Sequence, residues 1–214
     1  MRPESLSIKF AHLLLLSGVA AVFVWSAIRP HDRFTWFLEV LPAVLGVALL
    51  AATYRRFRLT DLAYTLISLH AVILLIGGHY TYAEVPLFNW IRDFFHQSRN
   101  NYDKVGHFAQ GFVPAIIARE ILLRTSPLQP GKWLSFLVLA ACLGLSAFYE
   151  FIEWGVALAT GTSAEAFLGT QGYVWDTQSD MFYCFMGSIL SLLLFTRLHD
   201  RQLRSKPSRK DQLT

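Results

Sequence analysis

Tyr102-Asp103-Lys104-Val105-Gly106-His107-Phe108 puts an acid, a base and an imidazole at the entrance to an apolar segment. Two later stretches answer it, Tyr149-Glu150-Phe151-Ile152-Glu153-Trp154 and Trp175-Asp176-Thr177-Gln178-Ser179-Asp180. Asp103 and His107 are spaced i,i+4, as are Asp176 and Asp180, and Glu150 and Glu153 are spaced i,i+3. On helices each pair shares one face. One imidazole with several carboxylates suits a hard or borderline divalent ion such as Mg²⁺, Mn²⁺, Fe²⁺ or Zn²⁺. His107, Glu150, Asp176 and Asp180 are the candidate ligands. Glu153 is placed to act as general base on a metal-bound water, and Lys104 to meet a phosphate. Asp103 and His79, the latter beside Gly77-Gly78, are further pocket candidates. The same residues also suit a purely structural lock, with Lys104 neutralising an acid and His107 hydrogen-bonding one across three helices.

The elements that must position these groups are membrane spans. Of 214 residues, 54% are hydrophobic and 16% charged, and the mean hydropathy is +0.39, which is too apolar for an ordinary soluble domain. Runs near the 20 residues a helical span needs fall at about 10–28, 36–53, 61–78, 105–123, 133–158 and 177–196. The expected fold is all-α: one integral membrane domain over 1–200, a six-helix bundle, with a basic cytoplasmic tail over 201–214. The first run is long for a signal peptide, and Trp25-Ser26-Ala27 is a poor cleavage site, so it reads as a retained span. Between the third and fourth runs, Leu87, Phe88, Ile91, Phe94 and Phe95 recur at helical spacing behind Pro86. That pattern predicts a short amphipathic helix over 86–97, lying in the interface.

Thirteen Lys and Arg fall on the side of the N-terminus against five on the other, which puts both termini in the cytoplasm. The three polar stretches then meet at the outer leaflet, where ten carboxylates stand against five cations. Gly111 and Ala115 continue the face of His107, and Cys184 and Ser188 that of Asp180. Small residues let membrane helices approach closely, so the polar groups should point into the bundle. No second acidic cluster is evident near the inner side. Arg119 is expected to snorkel towards the cytoplasm, and His70 to hydrogen-bond between helices. His12, His31, His96 and His199 are expected to meet solvent. Tyr149, Trp154 and Trp175 read as interfacial aromatics.

Several classes drop out. The basic residues sit at span ends without interleaved aromatics, which argues against nucleic-acid binding. Cys142 and Cys184 lie within spans and offer no disulfide framework. H-E-x-x-H and G-x-S-x-G are absent, which removes the simplest protease and lipase assignments.

The Asp103-Lys104-x-x-His107-Phe108 entry, Tyr149 to Trp154, Trp175-Asp176-x-x-x-Asp180 and the Gly77 to Tyr82 corner with Glu84-Val85-Pro86 resemble the YjdF family of bacterial inner membrane proteins. That resemblance covers nearly the whole chain. It implies a multi-pass protein of the inner membrane and no particular reaction. A looser likeness is to VanZ-like membrane proteins, which share the Asp-Lys-x-x-His entry and are linked to glycopeptide-antibiotic tolerance. Glu153 and Asp180 depart from that pattern, where amides are expected. Three functions fit these readings. One is a metal-dependent enzyme acting on a lipid head group or lipid-linked envelope precursor. The second is a small ion-coupled transporter, and the third a structural or partner-binding membrane protein. Membrane lipid is the expected partner, and a divalent metal the expected cofactor.

Overall fold

A computed structural model describes residues 4–161, 165–168 and 170–206 of the chain. Parts of the Gly/Thr-rich loop (162–164 and 169) and of the basic tail (207–214) lie outside the described residues, as does Arg2. The elements are helices: α1 (Glu4–Ala27), α2 (Arg33–Thr53), α3 (Asp61–Tyr80), α4 (Pro86–Phe94), α5 (Tyr102–Thr125), α6 (Lys132–Thr160), α7 (Glu165–Leu168) and α8 (Asp176–Leu203). Among the described residues there is no strand. Five helices, α1, α2, α3, α6 and α8, are long and apolar enough to cross a membrane.

α5 is of similar length but carries Asp103, Lys104, Arg119, Glu120 and Arg124. It can do so because it lies at the centre of the bundle. It packs most extensively on α8, with α3 and α6 beside it and α1 against α3. The α5–α8 contact is made backbone to backbone. A Cβ on Gly111 would overlap the carbonyl oxygen of Cys184, and one on Gly187 would overlap that of Phe108. The expected small-residue stripe is therefore the seam of the molecule, with Gly187 added to it.

Outward faces are apolar. Leu13, Leu45, Phe148 and Leu193 are among many large side chains left exposed, as hydrocarbon solvent allows. Local signals fix several helix ends. Asp32 accepts the Thr35 amide at 2.7 Å to cap α2, and Thr60 caps α3. Pro86 opens α4. α4 ends at Phe94, short of the expected 97, buries none of its residues and turns Leu87, Trp90 and Phe94 outward, with Phe95 exposed just beyond it. The start of α5 is tied down by Asn100, which is fully buried. Its side-chain amide donates to Val85 O and Asn89 Oδ1, and its backbone exchanges two hydrogen bonds with Gln171. Elements with such exchanged bonds hold position without a covalent tie.

Candidate functional site

α5 and α8 both begin at one rim of the bundle, and α6 ends there. The three polar stretches consequently converge. Lys104 Nζ lies 2.6 Å from Asp180 Oδ1, 2.9 Å from Asp176 Oδ1 and 3.4 Å from Asp103 Oδ2. Arg99 bonds Asp176 at 2.5 Å and also pairs with Asp103. All five side chains are at least nine-tenths shielded or nearly so, with Asp180 only 3% exposed. Three carboxylates are thus met by two cations, and charge within that group nearly balances. Lys104, expected to reach a phosphate, is instead turned inward and occupied by aspartates.

A second group adjoins it and shares Asp180. Ligating atoms of His107, Glu150 and Asp180 all lie within 4.8 Å of one another, with His107 Nε2 3.7 Å from Asp180 Oδ2. Gln110 Oε1 sits 3.0 Å from His107 Nδ1. With that carbonyl as acceptor, Nδ1 carries the proton and Nε2 presents its lone pair towards the acids. Glu150 is 7% exposed, and its Oε1 meets no hydrogen-bond donor among the described residues. A buried acid oxygen without a partner is costly, and the Glu150 carboxylate that carries it stands in the same trio as the imidazole. Asp176 falls on the lysine side rather than in this trio.

Beside the trio opens a cavity of about 110 Å³. Its wall includes Asp103, His107, Asp180 and Glu153 but not Glu150 or Asp176, together with Glu39, His70, Tyr82 and Tyr149. Tyr149, read as an interfacial aromatic, points its hydroxyl at Glu39 Oε2, 3.4 Å away. His70, expected to bridge helices, forms part of the cavity wall. Burial pushes the Tyr82 phenol well above its usual range, so it stays protonated. Its ring is wedged between Gly77 and Gly106, where any Cβ would overlap it. Gly106 therefore keeps the space that lets this ring close the cavity. His79 is placed elsewhere. Its Nδ1 lies 3.0 Å from Ser26 O and its ring stacks on Trp25, so it joins α3 to α1.

Two members were not singled out by spacing. Glu39 stands alone in an apolar helix, and its one signal is an acid where hydrocarbon is expected. Arg99 looks like a loop cation until the fold brings Asp176 beside it.

The opposite rim carries a second buried cluster, which corrects the expectation of none. Glu120, fully buried, accepts from Thr60 N and Oγ1, from Arg124 at 2.6 Å, and pairs with His199 Nε2 at 3.2 Å. His199 is fully buried rather than solvated. Arg119 does not snorkel: it is 3% exposed and bonds His199 and, at 2.5 Å, Asp200. His12 likewise bonds Tyr54 and Asp61 rather than water alone.

Long apolar helices enclosing a polar, largely buried site define the class: a multi-pass helical membrane protein. The chain belongs to the family described as "Predicted membrane protein (DUF2238)", which matches residues 11–201. It is similar to the inner membrane protein YjdF of Escherichia coli (strain K12), with 51% identity over 183 residues, covering 86% of this chain and 88% of that one. The family resemblance seen in the motifs is therefore correct. No solved structure matches the chain.

Proposed function

We propose that this protein is an inner-membrane metal centre in which His107, Glu150 and Asp180 hold a divalent cation. The observation that carries this reading is Glu150, whose carboxylate stands within reach of the imidazole and Asp180 and whose Oε1 is buried and unpartnered. Support comes also from Gln110, whose bond to Nδ1 leaves Nε2 free to ligate, as the outer partners of metal-bound histidines do. A nitrogen with two carboxylates matches Zn²⁺, Mn²⁺ or Fe²⁺ with open positions for water. The neighbouring Asp103–Asp176–Asp180 group has less call for an ion, because Arg99 and Lys104 already offset two of its three charges. The two meanings of the cluster, lock and metal site, accordingly belong to adjacent halves joined at Asp180.

The bound cation would lower the pKa of a water in the cavity. Glu153, which lines the cavity, would take its proton. The substrate class is a lipid head group or lipid-linked precursor reaching the rim, where α4 lays its apolar face in the interface. α5 is the sixth span: at 24 residues it is about 36 Å long. The charge distribution supports termini in the cytoplasm and a site at the outer leaflet; reporter fusions after Thr125 and after Leu168 would then report opposite sides. A carrier reading is weaker, because buried Ala115, Ile116, Leu134 and Val138 separate the two polar clusters.

Metal analysis of the detergent-purified chain tests the proposal. One equivalent is expected in wild type, and much less in Glu150→Gln and in His107→Ala. Wild type without metal, or Glu150→Gln with a full equivalent, overturns it.

A further inference from the structure

At the rim opposite the metal site, α1, α2 and α3 line a larger cavity of about 420 Å³ that is open along one side. That volume is in the range of small-molecule sites. It runs along the helix axes. His12 to Val19 on α1, Val47 to Tyr54 on α2 and Tyr64 to Ala71 on α3 all line it, and seven residues rise about 10 Å. The polar members, His12, Tyr54 and Tyr64, cluster at the membrane-surface end, with Ser68 one turn deeper, and the innermost walls are Val19, Val47 and Ala71. A shaft with that polarity has the form of an amphiphile standing upright in a leaflet.

The charge at its mouth says which amphiphile. Tyr54 is followed directly by Arg55-Arg56-Phe57-Arg58, with Arg55 and Arg56 exposed. The Arg58 guanidinium lies over the Tyr54 ring at 5.5 Å. Its Nε and Nη2, a pair able to grip an oxyanion with two hydrogen bonds, are buried behind that ring and find no acceptor among the described residues. Lys206 reaches the same spot, donating to Leu59 O at 2.9 Å. Burial, and then Arg58, hold its ammonium below the usual lysine range, as expected of a positive spot short of an anion. Asp61 supplies one nearby negative charge, bonded to His12.

We infer that this cavity is a phospholipid site, taking one acyl chain into the α1–α3 shaft and its phosphate between Arg58 and the arginines after Tyr54. The site is separate from the metal centre and does not rest on it.

The test uses the full chain in detergent, incubated with phosphatidylglycerol or with diacylglycerol and weighed by native mass spectrometry. Wild type is expected to keep one phosphatidylglycerol through detergent exchange. Ala51→Phe with Ser68→Phe, which fills the shaft, is expected to lose it. Arg58→Gln leaves the shaft open and is expected to reduce the preference for phosphatidylglycerol over diacylglycerol about tenfold, the worth of one charged hydrogen bond. Metal content should be unchanged in all of them. The inference is overturned if wild type sheds the lipid, if the filled variant keeps it, or if a normally folded Arg58→Gln chain retains the original preference.

Discussion

Asp180 gives one carboxylate oxygen to Lys104 at 2.6 Å and turns the other towards His107 Nε2 at 3.7 Å. One side chain therefore belongs to both halves of the cluster, while Glu150 belongs to one. Substitutions at the two positions should separate stability from metal binding. In Asp180→Asn, Lys104 keeps Asp176 and Asp103 but loses its shortest partner. Breaking a buried pair costs about 3–5 kcal/mol when nothing replaces it, so about 2 kcal/mol is expected here, together with loss of metal. Glu150→Gln should lose metal with no loss of apo-protein stability, because it removes a buried acid that has an unpartnered oxygen. Thermal unfolding in detergent, run beside metal analysis, reads both.

Lys104 is the centre of the ion-paired half, where it meets all three aspartates. Lys104→Met leaves three aspartates facing Arg99 alone. It should destabilise the chain by about 3 kcal/mol, in the range for breaking a buried ion pair. Adding Asp176→Asn should restore part of that loss, with a coupling of about 1 kcal/mol or more. Additive losses in denaturant unfolding would mean that the two side chains do not act as a pair.

The α5–α8 seam makes a sharper demand. Gly111→Ala would press a methyl group into the Cys184 carbonyl, and Gly187→Ala into that of Phe108. Backbone cannot yield as a flexible side chain can, and overpacking of this kind costs about 1–3 kcal/mol. Gly144, on the outer face of α6, has nothing within 4 Å of its Cβ position. Gly144→Ala should be neutral or slightly stabilising through helix propensity. Unfolding of the three variants under one condition checks the contrast.

How much of this was visible in the chain depends on the length scale of each signal. Apolar runs of about 20 residues and turn chemistry such as Asp32 and Pro86 are local, and each run lies within a helix except for Ile28, just past the end of α1. The pairs Asp103/His107, Asp176/Asp180 and Glu150/Glu153 were legible because helical spacing alone puts their members on one face. Glu39 gave no such pair, and its company, Tyr149 and Glu153, comes from a helix more than a hundred residues away. Arg99 and Asp176 are 77 residues apart. At the far rim Glu120 and Arg124 carry the same i,i+4 spacing as the outer pairs, and that signal was available. What hid the cluster was α8, which continues past the apolar run to Leu203 and brings His199 inward. A polar final turn reads as tail in sequence and becomes core only when another helix lies against it.

The Asp32 cap adds a pH dependence away from the site. Hydrogen bonding by the Thr35 amide holds its carboxyl below the usual range. A folded pKa below the unfolded one contributes stability that is present above the unfolded value and lost as pH falls through the folded value. The first turn of α2 should therefore fray only below about pH 4, the ordinary aspartate value. Asp32→Asn should keep the cap and flatten that dependence. Asp32→Ala should lose about 1 kcal/mol at neutral pH. Hydrogen exchange at the Thr35 amide, followed from pH 3 to 7, distinguishes them.

Glu120 ties three parts of the chain at the far rim: the Thr60 cap of α3, Arg124 one turn along α5, and His199 of α8. Its charge is fully enclosed, so its bonds are not weakened by competing water. Glu120→Gln keeps the shape but deprives Arg124 of its counter-charge and leaves one amide hydrogen bond pair mismatched. A loss of about 3 kcal/mol is expected, at the lower end of the range for a broken buried pair. Asp200 offers the internal comparison: it pairs with Arg119 but is 40% exposed, and Asp200→Asn should cost less than about 1 kcal/mol. The two losses need not differ if the rim merely frays as a unit. Hydrogen exchange at the Thr60 amide decides this, because it should speed up in Glu120→Gln and remain slow in Asp200→Asn.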